Sequence, residues 1–154
     1  MTNQLTRPAV RDDIPALRHV VDATGLFPGE MLPGLMAPFL DDTSDAFWLT
    51  CLANDLAVGL CFVEPEDLAD GTWNMRALAV HPAQQAQGLG AALVIAAEQR
   101  LAAENQRILI VDTSGTEAFA RTRAFYLQIG YEEEARIRDF WAEGDDKVIF
   151  RKAL

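Results

Sequence analysis

Between Leu78 and Leu93 the chain reads Leu-Ala-Val-His-Pro-Ala-Gln-Gln-Ala-Gln-Gly-Leu-Gly-Ala-Ala-Leu. An apolar run stops at His81-Pro82 and restarts as a helix through Gly88 and Gly90. A strand, a loop and a glycine-opened helix in that order make an anion site. Glycines let the backbone approach a ligand closely, and the first amides of a helix converge on negative charge with the dipole behind them. Phosphate is the natural guest.

Several phosphate folds share this outline, and spacing separates them. A P-loop ends in Gly-Lys-Ser/Thr, whereas Gly90 is followed by Ala91-Ala92. A dinucleotide fold fits better at first, because Gly88-Leu89-Gly90 opens a helix and Asp112 ends the next strand, where a ribose-binding acid belongs. Its third glycine position is Leu93, which would hold helix and strand apart, and the connection from Val80 to Gly88 is too long for the tight first turn.

What remains is Gln85-Ala86-Gln87-Gly88-Leu89-Gly90 after a strand ending Val80-His81-Pro82. Further on, the buried run Ile108-Leu109-Ile110-Val111-Asp112-Thr113-Ser114 is followed by a helix carrying Phe125-Tyr126-Leu127-Gln128-Ile129-Gly130-Tyr131. Together these resemble the pyrophosphate loop and the Phe-Tyr-x-x-x-Gly-Tyr hallmark of the GNAT superfamily of acyl-CoA N-acyltransferases, and the resemblance covers essentially the whole chain. It implies an α/β fold, a single domain over residues 1–154. A mixed, mostly antiparallel central sheet is flanked by helices, and the strands Trp73–Val80 and Arg107–Thr113 run parallel and splay apart.

The resemblance also implies roles. Leu78, Ala79 and Val80 offer main-chain bonds to a pantetheine arm, one of their N–H groups polarising the thioester carbonyl. Gln85, Ala86, Gln87, Gly88, Leu89, Gly90 and Ala91 hold the pyrophosphate of acetyl-CoA, the cosubstrate. Tyr126 is the general acid at the departing sulfur; a thiolate of parent pKa about 8.5 needs no stronger acid than a tyrosine of about 10. The implied reaction is direct attack of a primary amine in a ternary complex, with no metal.

The amine's proton is the harder problem. A lysine-like amine of pKa about 10.4 is neutral in roughly one molecule in a few thousand at pH 7. Many members of the family carry a Glu early in the central strand, and the matching position here is Asn74. Asn has no basicity; it can orient a water, or Glu30 or Asp112 supplies the carboxylate. An acyl-CoA-binding sensor or partner module without turnover is therefore the rival reading, with a nicotinamide-nucleotide binder third.

Net charge is −10, which argues against nucleic acid as a partner, since phosphate backbones need a basic face. The same acidity opposes anionic CoA, so the loop amides must outweigh a repulsive field, and it suits a cationic small-molecule or peptide amine. No apolar run is long enough for a membrane span, and Met1-Thr2-Asn3-Gln4 lacks the basic-then-apolar order of a leader, so the expected location is the cytoplasm. A homodimer is compatible with the sequence.

Periodicity and punctuation divide the chain. A strand over Leu5–Val10 is followed by a helix from Ile14-Pro15 to Ala23, capped by Asp12 and Asp13 and stopped by Gly25. Leu26–Leu40 is a loop with a short helix, and Ala46–Ala53 and Leu56–Glu64 form a hairpin around Asn54-Asp55. That register sets Cys51 opposite Val58 and Cys61 opposite Trp48, leaving two reduced core thiols that are not cross-strand partners. Pro65–Gly71 is an acidic loop, Trp73–Val80 the central strand, Gly88–Glu104 a helix, Arg107–Thr113 a strand and Thr116–Ile129 helical. Tyr131–Trp141 and Lys147–Lys152 close the chain as a hairpin. His19 reads as a partly exposed packing residue, His81 as a cap or ligand contact, and Arg121 and Arg123 as solvated charges or phosphate contacts.

Overall fold

A computed structural model of the chain describes residues 5–154; Met1–Gln4, on which the leader reading rests, lie outside the described residues. Among the described residues there are seven strands: β1 (Leu5–Pro8), β2 (Phe47–Ala53), β3 (Leu56–Pro65), β4 (Thr72–Val80), β5 (Ile108–Ser114), β6 (Glu132–Ala142) and β7 (Asp145–Ala153). The α-helices among the described residues are α1 (Ile14–Thr24), α2 (Leu32–Leu40), α3 (Leu89–Ala103) and α4 (Ala120–Gln128). The strands form one sheet in the order β1-β2-β3-β4-β5-β7-β6. β1–β2, β2–β3, β5–β7 and β6–β7 are antiparallel and β4–β5 is parallel, which is the mixed, mostly antiparallel α/β fold expected. The parallel ladder pairs Thr72–Met75 with Ile108–Val111 and stops there, so Arg76–Val80 continue outside it.

The described residues fall into two compact units, 5–64 with Arg76–Arg100, and Pro65–Met75 with Leu101–Leu154. In the first, Leu17, Val20 and Val21 of α1 and Leu32 and Met36 of α2 are buried with Trp48, Leu60, Ala77 and Ala79 of the strands. Pro15 sits in the first turn of α1 and Gly25, at φ 70°, ends it. Asp13 precedes the helix but does not cap it: its carboxylate turns back, accepting the Val10 amide at 2.8 Å and the Arg7 guanidinium at 2.7 and 2.9 Å. Two charge-assisted bonds outcompete one cap bond.

The hairpin turn at Asn54-Asp55 pairs Ala53 with Leu56 as expected. A bulge between Cys51 and Leu52 then shifts the ladder, so Cys51 lies opposite Gly59 and Cys61 opposite Leu49 rather than Val58 and Trp48. Gly59 is required at this crossing: a Cβ there would lie 2.7 Å from Cys51 Sγ and 3.0 Å from Ala79 O. Both thiols are buried and free.

In the second unit the loop 65–71 closes through Glu66 N–H to Thr72 O at 2.9 Å, and Arg107 Nε binds Asp70 O at 2.7 Å. α4 ends where Gly130 takes φ 95°, letting the Tyr131 amide return to Tyr126 O at 2.9 Å. The edge strand β6 is exposed along its whole length, with irregularities between Glu133 and Ala135 and between Ile137 and Ala142. Such irregularities blunt an open edge against unwanted pairing. Among the described residues no helix is long and apolar enough to cross a membrane.

Candidate active site

β4 ends at Val80, and a single 3-10 turn, Pro82–Gln84, leads toward α3. His81 fixes the turn. Its Nδ1 accepts the Ala83 amide at 3.1 Å, and its own amide donates to Val58 O at 2.8 Å. Gln85 Nε2 donates to Val80 O at 3.0 Å, so this side chain is a strut closing the loop onto the strand end.

The next residues change hand. Ala86 at φ 62° and Gly88 at φ 80° are both left-handed, a backbone habit that swings successive N–H groups toward one side and builds an anion-binding concavity. Gly88 O accepts the Ala92 amide at 3.0 Å, opening α3. The amides of Leu89, Gly90 and Ala91 precede that bond and carry the positive end of the helix dipole. Leu89 is buried and anchors the helix, while Gln85, Ala86, Gln87 and Gly88 are exposed. On the strand side Ala79 and Val80 are buried and Leu78 is half-buried. The residues expected to hold an acyl-CoA thus form one continuous strand end, loop and helix start within the first unit.

In the second unit Tyr126 is 4% exposed and belongs to an aromatic cluster. Its ring meets Tyr131 edge-on at 5.8 Å and Phe125 at 5.2 Å, and lies 5.5 Å from Phe150. The hallmark therefore has a physical basis: Gly130 turns the chain so that Tyr131 packs against Tyr126 one helical end away.

The same unit holds a polar group that the sequence pointed to only in part. Asn74, 2% exposed, donates Nδ2 to Glu66 Oε1 at 2.9 Å and to Asp112 Oδ2 at 3.3 Å. Lys147 Nζ lies 3.3 Å from the same Asp112 oxygen and 4.4 Å from the Phe140 ring centre. Both neighbours of the amide are acceptor-only carboxylates, which fixes its NH2 toward them and its Oδ1 away. Asn74 Oδ1 and Asp112 Oδ1 are buried without a hydrogen-bond partner.

Asn74 and Asp112 are thus brought together. Glu30 is exposed in the 3-10 turn Gly29–Met31. Glu66 and Lys147 were missed. Glu66 lies in a loop, where no periodicity marks a side chain's direction, although a carboxylate just before the strand carrying Asn74 was available as a signal. Arg123 is not a free charge: its Nη1 donates to Ser114 O at 2.8 Å and Thr116 O at 2.6 Å, pinning the loop before α4. Burial pushes the Cys51 thiol up to about 11 and the Cys61 thiol up to about 12, so neither is a thiolate nucleophile near neutral pH.

A family model for the acetyltransferase (GNAT) domain matches residues 44–133. No curated protein matches. Among solved structures, a Desulfovibrio desulfuricans protein assigned to the GNAT family is similar over 97% of this chain and 98% of its own, with 28% identity and a TM-score of 0.87. An aminoglycoside 6'-N-acetyltransferase complexed with coenzyme A aligns over 97% and 96%, at 15% identity and a TM-score of 0.79. The ribosomal-protein-S18-alanine N-acetyltransferase of Escherichia coli aligns over 97% and 93%, at 18% identity and a TM-score of 0.76. The family match runs from β2 into β6 and takes in the loop, Asn74 and Tyr126, and on it the chain belongs to the GNAT acetyltransferase family.

Proposed function

We propose that this protein transfers an acetyl group from acetyl-CoA to a primary amine, acting as a single domain by direct attack in a ternary complex. The observation that carries the reading is the loop itself: left-handed Ala86 and Gly88 followed by the start of α3, whose first amides have no partner within the helix. That donor set fits a pyrophosphate, which asks for several converging N–H groups and no particular side chain. Here Gln85 through Ala91 hold the diphosphate, and Leu78, Ala79 and Val80 supply main-chain bonds to the pantetheine, Arg76–Val80 lying outside the parallel ladder.

Acetyl-CoA, when bound, supplies an electrophilic acyl carbon and a thiolate leaving group. Tyr126 donates its hydroxyl proton to the departing sulfur, a transfer between groups of comparable pKa. On the acceptor side Asn74 orients and does not accept a proton, and Glu30 is an exposed carboxylate open to a cationic acceptor. With both cysteines buried and protonated, an acyl-enzyme route has no nucleophile to use.

Acceptors of the aminoglycoside and peptide-amine kinds handled by similar structures define the first panel. Thiol release from acetyl-CoA is followed with aminoglycosides, polyamines, amino acids and peptides as acceptors. One class should give turnover, with initial-rate lines that intersect when both substrates are varied. Parallel lines would replace direct attack by a covalent route. Binding of CoA without thiol release for any amine class would favour a sensor that binds acyl-CoA without turnover.

A further inference from the structure

Two carboxylates flank Asn74, and their surroundings divide them. Asp112 is only 10% exposed at its side chain, shares one oxygen with Lys147 and Asn74, and is neutralised by that lysine. Glu66 takes one hydrogen bond from Asn74, is half-buried, and pairs with no cation among the described residues. Asp112 is thus engaged by an ammonium and an amide and is enclosed, its other oxygen buried, whereas Glu66 meets only a neutral amide and is more open to a guest. Beside it, the buried and unpartnered Asn74 Oδ1 faces away from both carboxylates and asks for an N–H donor. An anion and an amide oxygen together match a primary ammonium, which offers several N–H donors and one positive charge.

We propose that Glu66 is the general base of this enzyme and that its acceptor is a cationic primary amine, with Asn74 a positioning residue set in place by Asp112 and Lys147. This rests on the acyl-transfer reading above. One proton of the acceptor's ammonium passes to the Glu66 carboxylate, which becomes a neutral acid. The freed nitrogen pair forms the C–N bond to the acyl carbon as the C–S bond breaks. The thiolate takes the Tyr126 proton, the nitrogen's second proton restores the tyrosine, and Glu66 returns its proton to solvent. One amide, one free thiol and one net proton leave per turnover. Asn74 does not replace the missing carboxylate; it borrows one from the loop eight residues earlier.

The test uses the best alkylamine acceptor from the panel and compares Glu66→Gln with wild type from pH 6.5 to 9.5. At pH 7 the variant should lose about a hundred- to a thousandfold in kcat/KM, within the range of general-base effects. That deficit should narrow by about tenfold per pH unit, because the amine deprotonates itself as pH rises toward its pKa of about 10.4. Asn74→Leu should show a smaller deficit with the same narrowing, which loss of packing alone would not produce. CoA must still raise the melting temperature of both variants, establishing that they fold and bind cofactor. A deficit that stays constant with pH, no deficit at all, or a pH-narrowing deficit in Glu30→Gln instead would overturn the assignment. Failure of wild type to release thiol with any amine would sink the acyl-transfer reading itself, and is distinct from wild-type turnover that Glu66→Gln leaves intact.

Discussion

At Tyr126 a packing role and the proposed proton donor fall on one side chain. Its ring is held on three sides by Phe125, Tyr131 and Phe150, contacts that Tyr126→Phe preserves. That substitution removes one oxygen and should leave stability and acetyl-CoA binding little changed, while turnover falls by about ten- to a thousandfold. Single-turnover thiol release, with chemistry rate-limiting, is the measurement, and an unchanged rate would take Tyr126 out of the mechanism. A side chain built only for the core would behave oppositely, with lost packing and retained activity in its smaller variants.

Among the elements, β2, β3 and β4 pack closely at Gly59. A methyl group there meets Cys51 Sγ and the Ala79 carbonyl, and Ala79 belongs to the strand end expected to bind pantetheine. Gly59→Ala should destabilise the protein by about 1–3 kcal/mol, the usual cost of overpacking, and weaken CoA binding as well. Urea unfolding with and without CoA separates the two effects; unchanged stability would mean that β2 or the thiol yields freely. The elements themselves were legible because glycine and proline punctuate them: His81-Pro82 ends β4, Gly88 opens α3, Gly25 and Gly130 end helices. The bulge at Cys51 was not, since it is a backbone adjustment that leaves the alternation of side chains on either side intact. Asp13 and Gln85 read as a cap and a phosphate neighbour from position alone, but each found a stronger partner, Arg7 and the Val80 carbonyl. Glu66 could not be joined to Asn74 without knowing how the loop closes through Thr72. Local patterns specify elements, whereas sites assembled from a loop and two strands need the closure.

On the scale of the whole molecule, a net charge of −10 means that carboxylates outnumber the cations able to stabilise them. Asp13 is one that is well satisfied: the Arg7 hydrogen bonds, followed by the Val10 amide, hold it below the usual carboxylate range against the opposing effect of burial. A carboxyl whose folded pKa lies below its unfolded value of about 3.9 contributes stability above that value and loses it as pH falls through the depressed folded pKa. Asp13→Asn should therefore lower stability at pH 7 and make the acid limb of the stability curve, below about pH 5, shallower than in wild type. Chemical denaturation at pH 7 and pH 3 decides it; an equal loss at both would assign Asp13 a pH-independent packing role.

Binding of an acyl-CoA by the backbone amides around Gly88, against the acidic field of the protein, can be tested by ligand-dependent melting before any acceptor is known. At a hundredfold excess over its dissociation constant, a ligand specific to the folded state adds about 2.7 kcal/mol, or several degrees in a domain of this size. Acetyl-CoA and CoA should both produce that shift and NADH should not. In Gly88→Val, where a β-branched residue is forced onto a φ of 80°, the protein should still melt cooperatively but without the shift. A shift with NADH and none with CoA would mean that the loop does not bind an acyl-CoA.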